Sequence, residues 1–209
     1  MFGRYWSACH GAFPTTLADA TIDTYFSGTT AVQAIVRDNK LYVNNIGDSR
    51  VILGRANSEG KLEAVPVSVD HKGDLPVERA RIEGRSGRVF ALKYDDGTIG
   101  PARVWLGSMD VPGLAVARAL GSSVGRSAGV VPDPEFHTAD VTPADKVVVL
   151  ASNGLWQFMS NQEVIETIES SGMEDPRRAI DALLEESNAR WMREEDVIDD
   201  TTILVAFLN

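Results

Sequence analysis

From Ser27 onward, short apolar runs alternate with turn residues. Thr29 to Val36, Leu41 to Ile46 and Val51 to Leu53 are β-rich, and Asp38-Asn39 and Gly47-Asp48 separate them. Runs of this kind between turn pairs predict a meander of antiparallel strands, which Leu62 to Val69 continues. The densest run, Val147 to Leu150, has no polar interruption and predicts a buried central strand. It ends in Ala151-Ser152-Asn153-Gly154, a small residue, two polar residues and a glycine. Such an ending delivers Asn153 to the rim of a sheet, where backbone can approach a ligand closely.

Helical spacing appears in three further places. Leu75 to Glu83 carries Val77, Ala80 and Ile82 after Pro76 at a first-turn position. Ser160 and Glu163 stand in capping-box register ahead of a helix that runs to about Ser170. Pro176 to about Trp191 places Ile180, Leu183 and Leu184 on one face. Thr201 to Leu208 closes the chain as a strand. Ala18 to Phe26 is compatible with a short helix. Residues 84–112 read as a long loop region, with turns at Asp96-Gly97 and Gly100-Pro101 around the apolar pieces Val89 to Leu92 and Val104 to Leu106. Strands, a helix pair and a terminal strand predict an α+β fold, an antiparallel β-sandwich flanked by helices.

Composition narrows the classes. At 209 residues the chain is one well-filled domain, and 44% hydrophobic with 24% charged residues is ordinary globular composition. A net charge of -10 argues against a nucleic-acid surface and an anionic membrane surface. No apolar run reaches the roughly 20 residues of a membrane span. Cys9 is the single cysteine, which points to a reducing, cytoplasmic or nuclear, setting.

Candidate chemistry gathers at strand ends. Asp48 follows Gly47 between two strands, Asp199 and Asp200 precede the last strand, and Asn153 ends the central one. If these strands are neighbours, oxygen-bearing side chains converge on one rim, where Mg²⁺ or Mn²⁺ could activate water for phosphate-ester hydrolysis. Each residue alone also has a plainer role. Asp48 is a turn former, Asp199 and Asp200 are solvated residues at a strand start, and His71 is a hydrogen-bonded loop residue. His10 and His137 have no partners in sequence, and Cys9 beside His10 lacks a third orienting group.

The motifs taken together resemble the metal-dependent protein phosphatases of type 2C. Ser27-Gly28-Thr29-Thr30-Ala31 is similar to the family's SGTTA strand, and Gly47-Asp48-Ser49-Arg50 to its GDSR turn. Asp70-His71-Lys72 with Glu78-Arg79-Ala80-Arg81-Ile82 resembles DHK with ERxRI. Leu114-Ala115-Val116-Ala117-Arg118-Ala119-Leu120-Gly121 is similar to LAxSRxLGD, Val131-Pro132-Asp133-Pro134-Glu135 to the PEP-type segment, Asn153-Gly154-Leu155-Trp156 to DGxW, and Asp199-Asp200-Thr201-Thr202 to the closing DDxT strand. The order agrees from Ser27 to the end.

The resemblance implies a central antiparallel β-sandwich and hydrolysis of phosphoserine and phosphothreonine in phosphoproteins by a hydroxide bridging two Mn²⁺ or Mg²⁺ ions. By position it implies that Asp199 is a ligand of the binuclear site and Asp48 the acidic residue of a weaker third site. Asn153 stands at a ligand position as an amide. Gln157 replaces the usual acidic residue after DGxW, Ser122 the aspartate of LGD, and Ala117 the serine before Arg118. The DGHGG motif and the phosphate-gripping Arg are not found, so the expected domain, 1–209 with its motifs over 27–209, is incomplete at the N-terminus and lacks the first strands. No residue is assigned as catalytic. The expectation is a phosphatase-like domain of little or no activity, a pseudophosphatase that binds phosphoproteins or protein partners. The alternative is an active enzyme whose first metal motif lies upstream of Met1.

Overall fold

In the computed structural model, residues 22–93, 97 and 99–208 are described. They fall into two compact units: one of residues 22–31, 45–48 and the described part of 70–135, the other of 32–44, 49–69 and 136–208.

The second unit has three layers. One sheet holds β2 (Ala31–Arg37), β3 (Lys40–Ile46) and β10 (Glu135–Asp140) in the order β10-β3-β2. Asp38 and Asn39 both adopt positive φ, 51° and 56°, so they form the tight turn that the twist of a two-residue hairpin requires. The other sheet has the order β12-β11-β4-β5, from β4 (Arg50–Ala56), β5 (Leu62–Pro66), β11 (Asp145–Ala151) and β12 (Ile203–Phe207). All its pairings are antiparallel, with Val149 opposite both Ile52 and Val205.

Period-two alternation builds the two cores. Leu41 and Val43 of β3 meet Val51, Leu53 and Val148 between the sheets. On the far face Ile52, Val147, Val149 and Val205 pack under α4 (Asn161–Ser171) and α5 (Pro176–Glu194), against Val164, Ile165, Ile168, Ala179 and Leu183. Each fully buried Ile or Leu here stabilises by about 1.5–3 kcal/mol relative to exposure. Ser160 accepts from the Glu163 backbone N–H and Glu163 returns a bond to Ser160, closing the expected capping box. Asp175 caps α5.

The first unit contains α1 (Pro76–Gly84), α2 (Ser123–Arg126), the short ladder of β1 (Gly28–Thr29) with β9 (Leu120–Gly121), and a sheet of β6 (Arg88–Lys93), β7 (Ile99–Trp105) and β8 (Pro112–Leu114) in that order. Ile82, Val89, Val104, Ala117, Ala119, Ala128 and Val130 form its core. The remaining short helix, α3 (Asn153–Trp156), belongs to the second unit.

Three expectations need correction. The meander is not one sheet: β3 and β4 lie in different sheets, so the Gly47-Asp48 turn carries the chain between layers, with Gly47 at φ 93°. The loop expected over 84–112 is an antiparallel sheet of β6 (Arg88–Lys93), β7 (Ile99–Trp105) and β8 (Pro112–Leu114). Gly100 and Pro101 make no turn. They oppose Leu92 where the ladder slips between Ala91–Ala102 and Lys93–Ile99, a bulge that tolerates the missing proline N–H. Finally, residues 22–26 are not helical, while 18–21 of that expected helix lie outside the described residues, as do Cys9 and His10.

Candidate functional site

The β11–β12 pairing decides what meets at the rim of the second unit. Ala151 pairs with Ile203, so the residues just after β11 and just before β12 leave the sheet at the same end. Ser152 ties the two exits together: its backbone N–H donates to Thr202 O at 3.0 Å, and its hydroxyl accepts from the Thr202 N–H at 3.0 Å. Gly154 then packs so closely on the other strand's approach that an added Cβ would lie 2.4 Å from Thr201 Oγ1 and 2.6 Å from Asp200 O. A glycine is required there. Its carbonyl is held in turn by Ser187 Oγ at 2.9 Å and Trp191 Nε1 at 2.6 Å.

This packing brings Asn153 onto Asp199. Asn153 Nδ2 donates to Asp199 Oδ2 at 2.9 Å, and the other carboxylate oxygen accepts from the Asp200 backbone N–H at 2.9 Å. A carboxylate only accepts, so the amide turns its NH₂ toward it. Both side chains are half-buried. Gln157 is exposed at the C-cap of α3, and its backbone N–H donates to Asn153 O at 2.8 Å.

Arg50 is a cation at the same end that the sequence reading passed over. It pairs with Ala151 in the ladder, lies over the Trp156 ring at 5.1 Å, and donates to Asn161 Oδ1 at 2.7 Å. Its place in the GDSR turn was the signal that could have found it.

Asp48 belongs to the first unit and is 5% exposed. There its carboxylate is ion-paired with the Lys72 ammonium, a pairing the sequence reading also missed. His71, 1% exposed, accepts from the Gly47 N–H through Nδ1 at 3.0 Å, which leaves Nε2 to donate to Glu135 Oε2 at 3.1 Å. Burial, and then the charge of Arg118, push the His71 pKa below 6.5, against the opposing pull of Glu135. Ser122 is buried in the left-handed region at φ 45°, with its N–H donating to Ser27 O at 2.7 Å. Ala117 is buried in the first unit's core.

The chemistry of these donors can be weighed against two divalent ions. Among the described residues no three His, Cys, Asp or Glu side chains converge on a metal-sized site. At the rim the Asp199 carboxylate already accepts on both oxygens, the Asn153 amide turns its donor end toward it, and the adjacent Asp200 is exposed. Hard divalent ions need several anionic oxygens to offset dehydration and mutual repulsion. The described residues do not fit a binuclear centre.

The fold and these motifs define a phosphatase-type β-sandwich, and comparison with known proteins specifies it. The family model of protein phosphatase 2C matches residues 14–195, and the chain belongs to that family. Probable protein phosphatase 2C 12 of Oryza sativa subsp. japonica is 38% identical over 217 residues, covering 100% of this chain and 54% of that protein. Probable protein phosphatase 2C 73 of Arabidopsis thaliana is 38% identical over 190 residues, covering 90% and 50%. The chain thus spans about half the length of these relatives. The serine-threonine phosphatase 2C of Toxoplasma gondii superposes with a TM-score of 0.80 at 25% identity, over 97% of this chain and 64% of that one. Proteins of this family act on phosphoproteins and use Mg²⁺ or Mn²⁺.

Proposed function

We propose that this chain is a type 2C phosphatase-like domain that engages phosphoproteins with little or no hydrolysis, a pseudophosphatase working in the cytoplasm or nucleus. The observation that carries the reading is the 2.9 Å bond from Asn153 Nδ2 to Asp199 Oδ2, in which an amide proton sits against an oxygen that a cation would otherwise hold. Asp199 is the metal-ligand position by family resemblance, Asn153 a neutralised one, and Gln157 and Ser122 are neutral where the family pattern is acidic. Asp48, the third-site position, has the Lys72 ammonium as its counter-charge. Arg50 keeps a positive group at the same end of the sheet, suited to a phosphorylated side chain.

The second reading is an active Mn²⁺- or Mg²⁺-dependent serine/threonine phosphatase. It draws support from the length relation, since relatives named as phosphatases are about twice as long. One experiment separates the two: a Mn²⁺ titration with phosphopeptide hydrolysis, comparing the natural chain with an Asn153→Asp, Gln157→Glu pair. The pseudophosphatase reading expects turnover near background for the natural chain. Mn²⁺-dependent turnover by the natural chain would overturn it.

A further inference from the structure

The sheet β12-β11-β4-β5 ends in two edges, and the chain treats them differently. At the β5 edge the Gln162 side chain of α4 stands in for a further strand. Its Oε1 accepts from the Ala64 N–H at 2.9 Å, and its Nε2 donates to Leu62 O at 3.1 Å. Pro66 has no N–H to present, and Glu63 puts a charge on the same strand. Devices of this kind stop a strand edge from recruiting another chain.

The β12 edge carries none of them. Ser152 N–H donates to Thr202 O at 3.0 Å and Leu208 N–H to Lys146 O at 2.8 Å, so the even-numbered residues of this line bond toward β11. The alternation of an antiparallel ladder then turns the N–H and C=O groups of Ile203, Val205 and Phe207 the other way. Among the described residues no strand pairs with that side. From Thr201 to Leu208 the sequence holds no charge and no proline.

We propose that the free edge of β12 is an interaction surface, and that its partner is β12 of a second copy of this chain, paired antiparallel about Val205. Register carries the choice of partner. With Val205 opposite itself, Ile203 falls opposite the partner's Phe207, so every outward-facing residue meets another outward-facing one. Each such pair can exchange both N–H···O bonds. A slip of one residue would set outward-facing groups against inward-facing ones and lose them.

The side chains agree with this register. Ile203 and Phe207 pack at the margin of the core under α4 and α5, and pairing sets isoleucine against phenylalanine at each end, a β-branched and aromatic pair that favours sheets. On the opposite face Leu204, 52% exposed, comes to lie against the partner's Ala206 and extends the core that Leu208 borders. With a net charge of -10 on each chain, two copies approach with least repulsion along an uncharged strand. The product is an isologous two-fold dimer with one continuous sheet, four strands from each copy. The two Asn153–Asp199 rims then sit at opposite ends of that sheet. None of this rests on what the rim binds or hydrolyses.

The test is sedimentation equilibrium of the full chain across the micromolar range, where the natural chain is expected to form a reversible species of twice its own mass. Ile203→Pro deletes an outward N–H and no bond to β11, and Leu204→Lys places a charge on the exposed position of the strand. Each should weaken dimerisation by about tenfold or more while circular dichroism shows the fold retained. The two act by different means, so either one that folds carries the test. In a Cys9→Ser background, Leu204→Cys chains mixed with Ala206→Cys chains should form disulfide-linked pairs faster than either variant alone, because those positions face each other in the non-bonded pairs, with Cα atoms about 4.5 Å apart. A natural chain that stays monomeric throughout would overturn the proposal, whether the edge is then covered by its own chain or by nothing. A dimer indifferent to both edge variants would place the contact elsewhere and overturn it too. Cross-linking no faster in the mixture than in either variant alone would overturn the register.

Discussion

Arg118 reaches Glu78 with two nitrogens, Nε at 3.0 Å and Nη2 at 2.6 Å, and Arg81 Nη2 closes on the second carboxylate oxygen at 2.6 Å. Glu78 is 2% exposed, so its charge is compensated almost wholly by these two guanidinium groups. Burial alone would raise its pKa, but the bonds from Arg118 and Arg81 outweigh burial and hold it below 4.5. Removing one member leaves the others uncompensated. Glu78→Ala is expected to cost about 3–5 kcal/mol, read as a lower urea midpoint at unchanged slope. A loss under about 1 kcal/mol would show that solvent supplies what Glu78 supplies now.

His71 gives the same unit a second, earlier acid limit. Its native pKa lies below 6.5, so as pH falls from 6.5 the unfolded chain takes up a proton that the native state refuses. This contribution is fully present above pH 6.5 and is lost as pH falls toward the lowered native value, by up to about 1.4 kcal/mol per pH unit. Denaturant titrations across this range should show the slope in the natural chain and not in His71→Gln. Equal slopes in both would remove His71 as its source.

The capping box offers a local test in the second unit. Bonds from the Ser160 side chain and backbone, then Arg190, lower the Glu163 pKa to about 2. Ser160→Ala is expected to cost about 1 kcal/mol. It should also move the Glu163 titration back toward 4.5, followed by NMR of its side-chain carboxyl. Because the native pKa is depressed, the contribution is present above pH 4.5 and fades as pH falls toward 2.

What could be read from sequence, and what could not, follows from the range of each interaction. The capping box, the Asp38-Asn39 hairpin and the Val147–Leu150 strand were legible because local geometry and period set them. The sheet over 88–114 was not. Its strands are only partly buried, and Gly100-Pro101, a turn pair by local rules, is absorbed as a bulge by the register of β6 and β7. The meander failed for a related reason: sheet membership of β3 and β4 depends on which face finds a core, not on the turn between them. At the site, Asn153 and Asp199 were expected to converge, and they do. That the amide's donor end faces the carboxylate was beyond reach, since it depends on pairing between residues 46 apart.

That contact yields the sharpest prediction. In Asn153→Asp the donor to Asp199 Oδ2 is gone, and two carboxylates occupy the space of a 2.9 Å hydrogen bond. Without divalent metal the variant should be less stable than the natural chain at neutral pH by about 1–3 kcal/mol. The deficit should be small at low pH, where one shared proton joins the pair. One carboxyl of the pair then has a native pKa raised above the unfolded value of about 3.9, so stability is lost as pH rises through that raised value. Millimolar Mn²⁺ should recover the loss in the variant and leave the natural chain unchanged. Thermal unfolding with EDTA and with Mn²⁺, at acid and neutral pH, reads all four states. A variant as stable as the natural chain in EDTA at neutral pH would mean that the two side chains do not share the space that defines this rim.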